Sequence, residues 1–197
     1  MQFVGVPSMV TKEQALKYYQ DKKKYEKVIL SNLKKKKHIV HGARGINAHL
    51  PPYLDRPTED WDIFAKTPKK TATMVEKKLD KKYGGDFFDV EKGVHEGTFR
   101  LKSNVTERVV ADYTKPDKKI PFKTKKGVRY ATLGYFKHHI KKTLKDPDAK
   151  FRHAKDREAL QRIEIHEVEK RRRKKRKPKT LMKGVKFVTN LHKIIKR

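Results

Sequence analysis

Cysteine is absent from this 197-residue chain, which rules out disulfides and every metal site built on thiolates. Acidic residues are scarce: 23 Asp and Glu stand against 53 Lys and Arg, leaving a formal charge of +30 with no acidic segment to offset it. Long apolar runs are missing as well, so no transmembrane segment is expected. Met1 to Val10 is too short for a signal h-region followed by a cleavage site. With 35% apolar and 39% charged residues, the chain can build one modest core inside a large charged shell. No internal repeat is present. The lack of cysteine fits an intracellular protein of nucleus or cytoplasm.

What the chain has in excess is positive charge. A compact body at +30 repels itself unless a polyanion neutralises it. Nucleic acid is the first expected partner, an acidic protein surface the second and anionic lipid the third. The densest block, Lys170-Arg171-Arg172-Arg173-Lys174-Lys175-Arg176-Lys177, cannot belong to a core and waits for a polyanion or a partner. A nuclear-import signal, a nucleic-acid clamp and an electrostatic strap all fit it. After Pro178, Leu181, Val185, Val188, Leu191 and Ile195 recur among lysines as a basic amphipathic segment suited to a groove or a membrane surface.

Periodicity and punctuation predict the elements. A helix is expected from Thr11 to about Lys36, a short β-prone run at His38–His41, and one or two helical turns at Asn47–Leu50 before Pro51-Pro52. A strand follows through Asp60-Trp61-Asp62. A helix opening at Thr67 or Thr71 runs through Leu79 to Gly84-Gly85. Strands are predicted at Phe87–Val90, Gly97–Leu101 and Arg108–Thr114, then a basic loop from Lys115 to Lys126. Tyr130–Leu144 and Ala149 to about Lys170 read as helices, with Leu133, Phe136, His139 and Ile140 turned inward in the first, and Phe151, Leu160, Ile163 and Val168 available for packing in the second. These make an α+β domain on a small mixed sheet with flanking helices. The expected divisions are an N-terminal helical segment (1–36), a main domain (37–168) and a basic tail (169–197).

Chemistry concentrates in three short stretches. Gly42-Ala43-Arg44-Gly45 is a glycine turn. In Thr58-Glu59-Asp60-Trp61-Asp62, strand alternation puts Asp60 and Asp62 on one side and Trp61 on the other. Two adjacent carboxylates are most easily tolerated when they share a divalent cation. Asp112 lies in a later strand, Val109–Thr114. For one Asp-x-Asp taken alone, pairing with neighbouring Lys or Arg is the plainer reading, and Asp112 can equally be a strand-end salt bridge. The histidines, His38, His41, His138 and His139 among them, make no strong metal spacing.

Taken in order, Val40-His41-Gly42-Ala43, Arg56-Pro57-Thr58-Glu59-Asp60-Trp61-Asp62, Val110-Ala111-Asp112-Tyr113 and Lys155-Asp156-Arg157-Glu158-Ala159-Leu160 resemble the nucleotidyltransferase superfamily typified by DNA polymerase beta and poly(A) polymerases. The resemblance covers roughly residues 36 to 165. It implies that Gly42 and Ala43 bring backbone N–H groups to nucleotide phosphates, and that Asp60 and Asp62 ligate Mg²⁺ or Mn²⁺. It makes Asp112 the third ligand or general base; Arg44 or Arg56 can steady a phosphate by bidentate hydrogen bonding. The implied cofactors are the metal and an NTP, and the implied activity is transfer of a nucleotide to a nucleic-acid or protein hydroxyl. A second reading keeps the fold without turnover. Ala43 and bulky Arg44 after the glycine, the absence of an obvious second domain and the basic extensions suit a structural component of a large assembly, a virion or ribonucleoprotein. A third reading is a plain nucleic-acid-binding module.

Overall fold

The computed structural model describes residues 23–176. Helix α1 (Lys23–Lys36) leads to a two-residue strand, β1 (Ile39–Val40), and a short helix, α2 (Gly42–Asn47). A loop with one 3₁₀ turn at Pro52–Leu54 reaches β2 (Trp61–Phe64), followed by α3 (Pro68–Tyr83). Next come β3 (Phe88–Lys92), β4 (Thr98–Ser103), β5 (Val109–Thr114), β6 (Phe122–Lys125) and β7 (Val128–Ala131). Helix α4 (Leu133–Thr143), a 3₁₀ stretch at Pro147–Arg152 and the long helix α5 (His153–Arg176) complete the described chain.

One mixed sheet holds the strands in the order β3-β4-β5-β2-β1-β7-β6. β2 runs parallel to β5, and β1 parallel to β7; the other neighbours are antiparallel. Alternation sends Val40, Trp61 and Ile63 to one face, where Ile29 and Leu33 of α1 and Ala72, Val75 and Leu79 of α3 close the larger core. On the other face Ile39 and Phe64 meet Ile46, Phe136, Ile140 and Ile163 from α2, α4 and α5. Among the described residues that second core lies on the β2-β1-β7 side of the sheet, and β3, β4 and β5 contribute no residue to it.

Local chemistry explains where the helices start and stop. Thr67 precedes α3 with Pro68 at its first position, where the missing N–H costs nothing, while Thr71 is buried inside the helix. Gly84, at φ +77°, ends it and returns its N–H to Asp80 O at 2.8 Å. Thr132 caps α4 by accepting from the Tyr135 N–H at 3.3 Å.

The α+β architecture on a mixed sheet is as expected, with four departures in its parts. The predicted basic loop at 115–126 contains strand β6, which with β7 forms a hairpin around Lys126-Gly127, at φ +49° and +80°. All four β6 residues are exposed at the sheet edge, so no apolar alternation marks them. Tyr130 therefore belongs to β7 and not to the following helix. The helical turns expected at Asn47–Leu50 form earlier, directly on the glycine turn. Phe151 is 82% exposed and Val168 45% exposed, so neither packs, and His139 sits at the surface stacked along Tyr135. Finally, α5 runs unbroken across the boundary drawn at 168 and carries the basic run as helix through Arg176. Thr11 to Lys22, Lys177 and the amphipathic segment at 181–195 lie outside the described residues.

Candidate functional site

Strand β1 ends where the glycine turn begins, and β2 lies against it: the His41 N–H donates to Asp62 O at 2.9 Å. Gly42 has φ +57°, and a Cβ there would fall 1.7 Å from Asp62 Oδ2. Only glycine lets the turn pass over that carboxylate. His41 stacks on Phe64 at 3.8 Å, and burial holds its imidazole neutral, with a pKa lowered to about 3.

Register then assembles a row across the sheet. Asp62 is the direct neighbour of Asp112 on parallel β5, Asp112 of Arg100 on β4, and Arg100 of Glu91 on β3. Cross-strand neighbours share a face, so these four side chains line up on the face of the second core, beyond the described residues that build it. Arg100 Nε stands 3.4 Å from Asp112 Oδ1, yet both atoms are buried without a hydrogen bond. Burial pushes the Asp62 carboxyl up to about 6, helped by the negative charges of Asp60 and Asp112 and opposed by Lys155 and Arg56. Asp112 is also raised, by burial first, with Arg100 pulling it back.

Asp60 precedes β2, and Thr58 Oγ1 donates to its Oδ1 at 2.5 Å. Arg56 follows the 3₁₀ turn, in a loop clamped to α2: Asn47 Nδ2 donates to Arg56 O at 2.7 Å, and Asn47 Oδ1 accepts from the Arg56 N–H at 3.2 Å. Buried Arg162 of α5 donates to the same Asn47 oxygen at 3.1 Å and to Leu54 O at 3.0 Å. A cleft of about 630 Å³ opens here, lined by Arg44, Asn47, Arg56, Thr58, Trp61 and Tyr130 among others. A larger groove of about 870 Å³ runs along α3 past Met74, Phe99 and several lysines, away from the carboxylates.

Not every expected residue is free for a ligand. Arg44 sits over the Trp61 ring at 4.2 Å and is engaged by Glu26 (2.9 Å), Asp60 O (2.7 Å) and Glu59 O (3.1 Å). Its guanidinium fastens α1 to the Asp-x-Asp approach. Asp156 is buried and gripped by Arg152 through two hydrogen bonds, at 3.0 and 3.2 Å, so it fixes the start of α5 while Lys155 faces Asp62 electrostatically. The expected three-carboxylate cage is not ready-made: among the described residues no three His, Cys, Asp or Glu side chains converge as a metal site. Thr58 holds Asp60, and Arg100 already faces Asp112. Arg100 and Thr58 escape a reading of residues alone, because only strand register puts Arg100 beside Asp112.

No protein-family model and no curated protein matches the chain. Among solved structures it is similar to the Megavirus polyadenylate synthase, with a TM-score of 0.67 at 18% identity. That match covers 79% of this chain but 34% of the synthase, so the chain spans about a third of its length. JHP933 from Helicobacter pylori also aligns, with a TM-score of 0.39 at 16% identity over 72% of this chain and 60% of that one. The fold is nucleotidyltransferase-like, as the first of these matches shows. No helix among the described residues is long and apolar enough to cross a membrane.

Proposed function

We propose that this chain carries a Mg²⁺- or Mn²⁺-dependent site that transfers a nucleotide from an NTP to a nucleic-acid or protein hydroxyl. The observation that carries this reading is the in-register pair Asp62 and Asp112, with Gly42 folded over Asp62 and Asp60 two residues before it. The donor set fits a hard divalent cation. It offers carboxylate oxygens only, Asp112 Oδ1 is buried without a hydrogen bond, and Asp62 is held near 6 partly by like charges that a cation would neutralise. Asp60 and Asp62 would hold the metal, which when bound polarises the phosphoryl group and offsets its charge.

The chain's own groups supply the rest. Gly42 and Ala43 stand at the turn where backbone N–H groups can meet phosphate oxygens, and Arg56 and Lys155 add positive charge on the Asp62 side. The phosphate role falls to Arg56 and not to Arg44, whose Nε and Nη2 are held by Glu26, Glu59 O and Asp60 O. Asp112, whose carboxyl burial raises above its ordinary value, takes the proton of the attacking hydroxyl. The hydroxyl oxygen bonds to the α-phosphorus while the α–β bridging bond breaks, and pyrophosphate leaves.

A second reading, a silent scaffold of a virion or ribonucleoprotein, draws on the Arg100 guanidinium at Asp112 and the uncollected carboxylates. Calorimetric titration with Mg²⁺ or Mn²⁺ and ATP or GTP separates the two. Metal-dependent nucleotide binding is expected in the wild type and at least about 100-fold weaker binding in Asp60→Ala/Asp62→Ala. Absence of binding in both proteins favours the scaffold.

A further inference from the structure

Two of this protein's arginine–aspartate pairs are made differently. Arg152 grips Asp156 through two hydrogen bonds, at 3.0 and 3.2 Å, as a pair that fixes structure should. Arg100 Nε stops 3.4 Å from Asp112 Oδ1, and both atoms are buried with no hydrogen bond made. A buried donor and a buried acceptor left unmet in this way are each open to a better partner. Arg100 has one within reach. On β4 it is the direct neighbour of Asp112 on one side and of Glu91 on the other, each strand about 5 Å away. Glu91 stands on the edge strand, exposed, and its charge acts on Asp112 in the sense opposite to that of Arg100. Val90 and Lys92 alternate to the other face with Leu101 and Phe99, and Asp89 lies opposite Lys102, so Glu91 is the carboxylate of β3 that adjoins Arg100. The Arg100 side chain is 30% exposed, which leaves it room to turn.

We infer that Arg100 is a movable counter-ion shared by Asp112 and Glu91, and that its position sets how tightly the carboxylate row takes a divalent cation. This rests on the nucleotidyl-transfer reading and adds to that site a control of its cation affinity. Turned to Asp112, the guanidinium supplies positive charge to a row in which Asp60, Asp62 and Asp112 repel one another. Turned to Glu91, it leaves the Asp112 oxygens open to a cation at Asp62, the next residue in the row. Arg100 and Glu91 are positioning residues in this scheme. They act on the cation through Asp112, and Glu91 acts only through Arg100.

The test is a double-mutant cycle on the full chain, read by Mn²⁺ titration without nucleotide, with free Mn²⁺ followed by its paramagnetic resonance signal. Arg100→Gln should bind Mn²⁺ about tenfold tighter than wild type, because nothing competes for Asp112. Glu91→Gln should bind it about tenfold weaker, because Arg100 then has nowhere else to turn. Added to Arg100→Gln, the Glu91→Gln change should matter by less than about twofold. Plain through-space charge predicts otherwise. Glu91 lies two strands from Asp112, about 10 Å, and its loss would weaken binding by the same factor with or without Arg100. An equal factor in both backgrounds overturns the proposal, as does an Arg100→Gln variant that binds no tighter than wild type. Arg100→Lys keeps a mobile cation and should stay within about threefold of wild type, with its dependence on Glu91 intact. Mn²⁺ binding that is lost in Asp60→Ala/Asp62→Ala but ignores Arg100 and Glu91 sinks this inference and leaves the transfer reading standing. Failure of both wild type and Arg100→Gln to bind Mn²⁺ sinks the two together.

Discussion

The two halves of the sheet are built differently. Around β2, β1 and β7 both faces are covered, by α1 and α3 on one side and by α2, α4 and α5 on the other. Around β3, β4 and β5 one face is packed by α3, and the other, among the described residues, contributes nothing to a core and presents Glu91, Arg100 and Asp112 instead. Asp62 sits on the seam, backed by the glycine turn on the closed side and flanked by Asp112 on the open side. The lesson is electrostatic. A carboxylate at such a seam is desolvated by the packed half, which raises its pKa, while Asp112 on the other side adds a like charge.

Substitutions can break or sharpen this contrast. The largest effect is expected on the closed side of the seam. Gly42→Ala would drive a methyl group into Asp62 Oδ2 and impose φ +57° on a residue with a Cβ, costing about 3 kcal/mol in thermal or urea unfolding and displacing the carboxylate. Ile163→Ala, in the second core at 0% exposure, should cost about 3 kcal/mol by urea unfolding; a loss below about 1 kcal/mol would mean that α5 is not packed as described.

Asp62→Asn should act in the opposite direction. The folded carboxyl titrates near 6 and the free one near 3.8, so well below 3.8 both states hold the proton and the variant matches wild type. As pH rises from 4 to 6 the unfolded chain releases its proton first, and wild type loses stability relative to the variant. Above 6 the variant should lead by on the order of 2 to 3 kcal/mol in metal-free buffer. Melting curves at pH 4 and pH 7.5 with a chelator check this, and a constant difference between the two would refute the buried like-charge account. The smallest effect belongs to the open half. Arg100→Ala removes a partly exposed ion pair and should change stability by less than about 1 kcal/mol, read in the same melts.

The glycine turn and the ordering of Asp60, Asp62 and Asp112 were legible because chemistry at a turn demands particular residue types. The core of α3 was legible because apolar residues recur at helical spacing. Strand β6 was not, since an edge strand with every residue exposed carries no alternation. Nor was the engaged role of Arg44, whose partners Glu26 and the Glu59-Asp60 pair come from two places distant in the chain.

By itself, then, the sequence determined the charge, the absence of thiolate chemistry, the class of fold and the short list of carboxylates, because composition and local spacing are properties of the chain alone. Tertiary structure decided which of those groups meet. Strand register placed Asp112 between Asp62 and Arg100, and the unbroken course of α5 carried the basic run on from the turn that holds Lys155. Register and helix direction arise from packing among residues far apart in sequence, and no local pattern encodes them.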